Sequence, residues 1–173
     1  MVLLLFLLAL FGIGVVGSTT EESSSDSAPA RPPALELRSE AGTQLAAQGS
    51  YCVTGESVGE CVDVESPVGP EQTSVVRPGE IVTIAVVGAD DIQGSASVRR
   101  LGCDEELLSL PLEPETRWTV ELEPGAYEIA MEAVTFEAGS TSGDTSGVLG
   151  VVVDATAPLE VRPAGPPVTC GTG

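Results

Sequence analysis

The sequence contains no histidine, no lysine and no asparagine, and all seven of its basic residues are arginine. Without imidazole there is no Ser-His-Asp or Cys-His machinery, no imidazole metal site and no side chain that ordinarily titrates near neutrality. Without lysine there is no Schiff-base nucleophile and no phosphate-loop lysine. Without asparagine there is no acceptor for N-glycosylation. Aromatic residues make up only 3% of the chain, which leaves no aromatic platform for a sugar. Positive charge is equally scarce, at 7 residues against 26 acidic ones, for a formal charge of −19. Such a surface repels nucleic-acid phosphates and anionic membranes, and it keeps the chain solvated. The same composition also fits loose binding of divalent cations by clustered carboxylates.

What is present first is a leader-like run. Val2 to Val16 is uninterrupted apolar sequence followed by Gly17-Ser18. Its length suits a signal-peptide core better than a full membrane span, which takes about 20 residues. No basic residue precedes it, so export relies on the α-amino group or the true start lies upstream. Segment 1–17 is therefore expected to be a signal peptide cleaved before Ser18, or a retained anchor, and the membrane enters only through it. Ser18 stands where a lipidated cysteine would stand in a lipobox, and a hydroxyl cannot replace that thiol. Residues 18–34 are rich in serine and proline and bury too little apolar surface to offset ordering, which predicts a disordered spacer.

From residue 35 to 157 short alternating segments recur between glycine and proline punctuation, with no long helical period. Strands are expected at Leu35–Arg38, Ala46–Val53, Glu60–Val64, Glu80–Val87, Ala96–Leu101, Leu107–Leu110, Arg117–Glu123, Ala126–Phe136 and Val148–Asp154. About eight or nine strands so spaced predict an all-β, antiparallel β-sandwich of immunoglobulin-like architecture. Gly139 to Gly147, G-S-T-S-G-D-T-S-G, reads as a flexible loop, and residues 158–173 as a Pro/Gly-rich tail. Trp118 alternates with Val120 and Leu122 and belongs in the core. Leu122-x-Pro-Gly-x-Tyr127 has the spacing of a tyrosine corner, so Tyr127 is expected to lock the fold by bonding back to backbone.

Cys52, Cys61, Cys103 and Cys170 form an even set in an apparently exported chain, which predicts two disulfides. Cys52 and Cys61 flank a hairpin through Thr54–Gly59, favouring their pairing and leaving Cys103 to staple Cys170 in the tail. Metal or redox chemistry would need C-x-x-C spacing or histidine partners, and neither exists.

No residues stand out as catalytic, cofactor-binding or metal-ligating. Asp90-Asp91 and Asp104-Glu105-Glu106 lack the D-x-D-x-D-G pattern and read as solvated acidic turns. Ser140, Thr141, Ser142, Thr145 and Ser146 have no activating base. Arg99-Arg100 is the one basic pair, and its contacts with carboxylates would be surface contacts of little worth.

In chain order, G-S-Y-C (Gly49–Cys52), then Cys61-Val-Asp, V-R-P-G-E-I-V-T (Val76–Thr83), W-T-V-E-L-E-P-G-A-Y (Trp118–Tyr127) and V-L-G-V-V-V (Val148–Val153) resemble a group of uncharacterised exported bacterial β-sandwich proteins. Their pattern is an S-Y-C-W…C segment, a P-G turn into a strand and a W-x-V-x-L-x-P-G-x-Y segment. Val53 replaces the tryptophan that often follows the first cysteine. The resemblance implies a secreted or envelope-associated sandwich and carries no site residues with it. The expected function is non-catalytic binding or a structural role at the cell envelope, toward an extracellular or envelope partner, with no cofactor and no nucleic acid. The alternatives are a hydrolase working with Asp and Glu alone and a calcium-dependent adhesion module.

Overall fold

The computed structural model describes residues 31–56, 59–64, 69–165 and 170. The segment 1–17 and most of the spacer 18–34 lie outside the described residues. The described residues form thirteen strands. They are β1 (Ala34–Ser39), β2 (Gly42–Leu45), β3 (Ala47–Thr54), β4 (Gly59–Val62), β5 (Gln72–Val76), β6 (Ile81–Val87), β7 (Asp91–Gln93), β8 (Ser95–Arg100), β9 (Glu106–Pro111), β10 (Glu115–Thr119), β11 (Gly125–Ala138), β12 (Thr141–Val153) and β13 (Val161–Pro163).

Two sheets form the sandwich. The small one has the order β10-β6-β1-β2, and the large one runs β13-β5-β12-β11-β8-β9. Further along the central hairpin, β3 takes the same edge of β12 as β5 and carries β4 outside it, while β7 extends the β8 edge of β11. Pairing is antiparallel except between β5 and β12, which run parallel. Alternation buries one face of each sheet. Leu37, Val82, Ile84, Val86, Trp118 and Val120 from the small-sheet side meet Val98, Tyr127, Ile129, Met131, Leu149, Val151 and Val153 of the large one. Each such side chain contributes about 1.5–3 kcal/mol through burial.

All nine expected strands are present, and four short ones join them. β2 carries a buried glutamine, β5 opens with polar residues, and β7 and β13 have three residues each. None offers the repeated apolar alternation that marks a strand in sequence. β13 draws the tail into the large sheet by pairing with β5.

The expected loop from Gly139 to Gly147 is instead a tight turn at Gly139-Ser140 followed directly by β12. Its small polar residues serve close strand approach rather than flexibility. A Cβ at Gly143 would collide with the Cys52 carbonyl oxygen on β3. Buried Thr145 accepts from Gln48 Nε2 at 2.7 Å, and Ser146 Oγ donates to Ser50 O at 3.0 Å. These hydroxyls fasten β12 to β3 in place of apolar packing.

The large sheet bends along one line. Tyr127, Ile129 and Met131 are buried before it, then Val134 and Phe136 after it, so the inward phase slips by one. Met131 pairs Gly147 and Val134 pairs Thr145, leaving one extra residue on β11. Ala133 takes a left-handed conformation there, with φ 51°. At the same height β3 also carries one residue too many, between its partners of Thr145 and Gly147, and Gly94 interrupts β7 and β8. Bulges bend a strand and increase its twist. Beyond this line the sheet continues as a blade of β7, β11, β12, β3 and β4.

The sheets are also joined by polar contacts. Gln44 on β2 is 1% exposed. Its Nε2 donates to Gln72 O at 2.6 Å, and its Oε1 accepts from Ser74 Oγ at 2.8 Å on β5. Gln44→Leu should destabilise the domain by about 2 kcal/mol in urea unfolding, because a buried carbonyl and hydroxyl lose their partner.

Candidate functional site

The central hairpin owes its position to a corner at its start. Tyr127 is 1% exposed, and its hydroxyl donates to the Glu123 carbonyl at 2.7 Å across Pro124-Gly125. The Arg100 guanidinium lies 5.7 Å from its ring centroid. The phenol is thus fully committed between core packing and backbone. Tyr127→Phe should lower the unfolding free energy by about 1 kcal/mol through loss of that hydrogen bond, readable in chemical denaturation. Trp118 on β10 is buried in the same core. The corner clamps one end of the hairpin, and the blade lies at the other.

Cys52 bonds Cys61 and Cys103 bonds Cys170. The first pair joins directly facing residues of β3 and β4. The second fastens the tail beside the turn that follows β8, where Cys170 Sγ also lies 3.1 Å from Gly102 O. All four thiols are consumed in cross-links.

The blade carries a shallow groove of about 250 Å³ lined by Asp91, Ile92, Gln93, Thr135, Phe136, Glu137, Ser142 and Gly143. Strand register explains its shape. Asp91, Glu137 and Ser142 face one another in one cross-strand row, and Gln93, Thr135 and Asp144 in another. Between them lies the row Ile92, Phe136 and Gly143, whose two larger side chains belong to the core. The groove therefore runs across the strands, with backbone as its floor. One wall holds two carboxylates and a hydroxyl, and the other an amide and a hydroxyl.

Asp91 and Glu137 are exposed, and no cationic side chain lines the groove with them. An acid/base pair for glycoside hydrolysis depends on burial to hold one carboxyl protonated. This groove can bind polar or cationic groups through hydrogen bonds and charge. Neighbouring Asp90 points elsewhere, accepting Gly139 N–H at 2.7 Å and tying the β6–β7 loop to the hairpin turn.

The remaining acids are structural or solvated. Glu80 is 8% exposed, and its carboxylate accepts the N–H groups of Glu40 at 2.7 Å and Arg77 at 2.9 Å. It pins the β1–β2 turn to the Pro78-Gly79 corner, a role only the fold reveals. Glu106 accepts from Ser97 Oγ on β8, while Asp104 and Glu105 are exposed. Arg99 meets Glu132 at 3.0 Å and Arg100 meets Glu123 at 3.7 Å. Burial pushes the Glu128 carboxyl above its usual range, opposed by the Gly102 backbone and Arg99 and reinforced by Asp104. Asp154 is held below the usual range by the Thr156 N–H, the Thr156 hydroxyl and the Ala157 N–H. Neither carboxylate lies in the groove. Among the described residues no three His, Cys, Asp or Glu side chains are grouped to hold a metal ion.

Sequence reasoning did not find the groove, because it arises from the register of three strands rather than from any contiguous motif. No protein-family model, curated protein or solved structure matches this chain.

Proposed function

We propose that this is an exported, non-catalytic β-sandwich of immunoglobulin-like architecture, serving as a binding or structural module at the cell envelope. The observation that carries this reading is the pairing of all four cysteines into two cross-links. Stable disulfides belong to oxidising compartments, and this pairing leaves no thiol for chemistry. The apolar segment ahead of a Ser/Pro-rich spacer points the same way, as does the resemblance to exported sandwich proteins. Lack of imidazole and amine side chains removes most catalytic constellations. The groove of the blade is shaped to contact a small polar or cationic group, and loops and strand ends on a rigid sandwich commonly carry binding.

The test is made on intact producing cells. A membrane-impermeant protease should cleave the protein, and thiol alkylation before lysis should label none of its cysteines. Labelled cysteines and full protection from protease would place it inside and remove the proposal. A melting temperature unchanged by EDTA separates this reading from a calcium-dependent adhesion module.

A further inference from the structure

We propose that the free edge of β9 is a docking site for an extended segment of a partner protein whose apolar side chains alternate with basic ones. Six strands form sheet edges among the described residues: β2, β4, β7, β9, β10 and β13. Exposed edges template further pairing unless they are very short, charged with lysine, interrupted by proline or covered. β7 and β13 have three residues, and β2 and β4 have four. The β2 side is additionally bridged to β5 through Gln44. β10 has five residues and follows Pro114 directly. β9, E-L-L-S-L-P, is the longest of them at six residues, with no basic residue and proline only at its last position.

Of the seven exposed large apolar side chains among the described residues, the two that are consecutive in sequence lie on β9. Leu107 is 44% and Leu108 37% exposed. Glu106 pairs Arg99 and Leu108 pairs Val98, so Leu107 is an extra residue with no counterpart on β8. That bulge breaks the alternation and turns two consecutive leucines toward solvent. From Leu108 to Pro111 the ladder with β8 is regular, leaving a straight segment to which another strand can add.

Charge identifies the partner. Asp104, Glu105 and Glu106 precede the leucines and Glu113 follows the strand, all exposed. A second copy would bring the same acids and its own formal charge of −19, which disfavours self-pairing at moderate ionic strength. A strand with lysine or arginine at alternate positions would set these charges against its own, while main-chain bonds along β9 supply affinity, as in strand addition to open sheets.

This inference rests on the reading of a binding module, and a turnover screen tests that reading separately. The test uses the full disulfide-bonded chain with labelled backbone amides. The probe is a synthetic ten-residue peptide alternating valine and lysine, and the control has the same composition in two blocks. Shifts should centre on the amides of residues 106–110 and neighbouring β8. The block peptide should bind at least tenfold more weakly. Leu107→Lys and, independently, Glu105→Lys should each weaken the alternating peptide about tenfold without lowering the melting temperature. Shifts centred on the Asp91–Glu137 groove or another edge would overturn the proposal. So would equal binding of the two peptides, or dimerisation of the unliganded chain through β9 in sedimentation.

Discussion

Replacing Cys103 and Cys170 together by alanine is expected to cost roughly 4.4 kcal/mol. The two residues are 67 apart in sequence, and closing so long a loop removes much of the unfolded chain's entropy. The same reasoning gives only roughly 2.7 kcal/mol for Cys52–Cys61, whose separation is 9. Among the described residues beyond Asp154, the chain pairs with the sheet through three-residue β13 and the adjoining Ala164 N–H to Glu71 O bond. Denaturation should report the global loss. Hydrogen exchange should show where it starts, with the Val75 amide, bonded to Glu160 O at 2.9 Å, losing protection before the β11–β12 ladder. Equal losses for the two disulfide knockouts would mean that loop length does not set the effect.

The second large effect is on ionic strength. Of 26 acidic residues, few are matched, since the described residues hold five arginine–carboxylate contacts, each with at least one exposed partner. Unmatched like charges oppose the compact state, and salt screens them. Raising NaCl from low ionic strength to about 1 M should stabilise the domain by about 3 kcal/mol, or ~10 °C in melting temperature. Mild acid should act in the same direction at first. Glu128 has a raised folded pKa, so its charge opposes folding at neutrality and that cost is relieved as pH falls through the raised value. Asp154 has the opposite sign. Its lowered folded pKa gives stability that is complete above the unfolded value and is lost as pH falls through the folded one. Melting temperature against pH should therefore peak on the acid side of neutrality. A melting temperature independent of salt would contradict this account of the surface.

Alternation made most of the fold legible. Val82, Ile84 and Val86 or Tyr127, Ile129 and Met131 announce an inward face because burial demands a period of two. The disulfide pairing was legible because Cys52 and Cys61 flank one hairpin. The features that escaped depend on distant contacts. Gln44 reads as a surface residue until β2 meets β5 across the sandwich. Glu80 is one acid among 26 until the Glu40 and Arg77 amides converge on it. Gly139 to Gly147 has the composition of a loop, and only the tight approach of Gly143 to β3 explains it as strand. The groove and the leucines of β9 arise from register and from a bulge, neither of which is encoded by residue type alone.

The central claim is that this sandwich binds or supports without catalysing. Its most direct test is a hydrolytic turnover screen of the purified, disulfide-bonded chain against glycoside, ester, phosphoester and peptide substrates. The account predicts no turnover above the level of an Asp91→Asn, Glu137→Gln double variant. Turnover by the native chain that this double variant abolishes would contradict it and make the groove an active site.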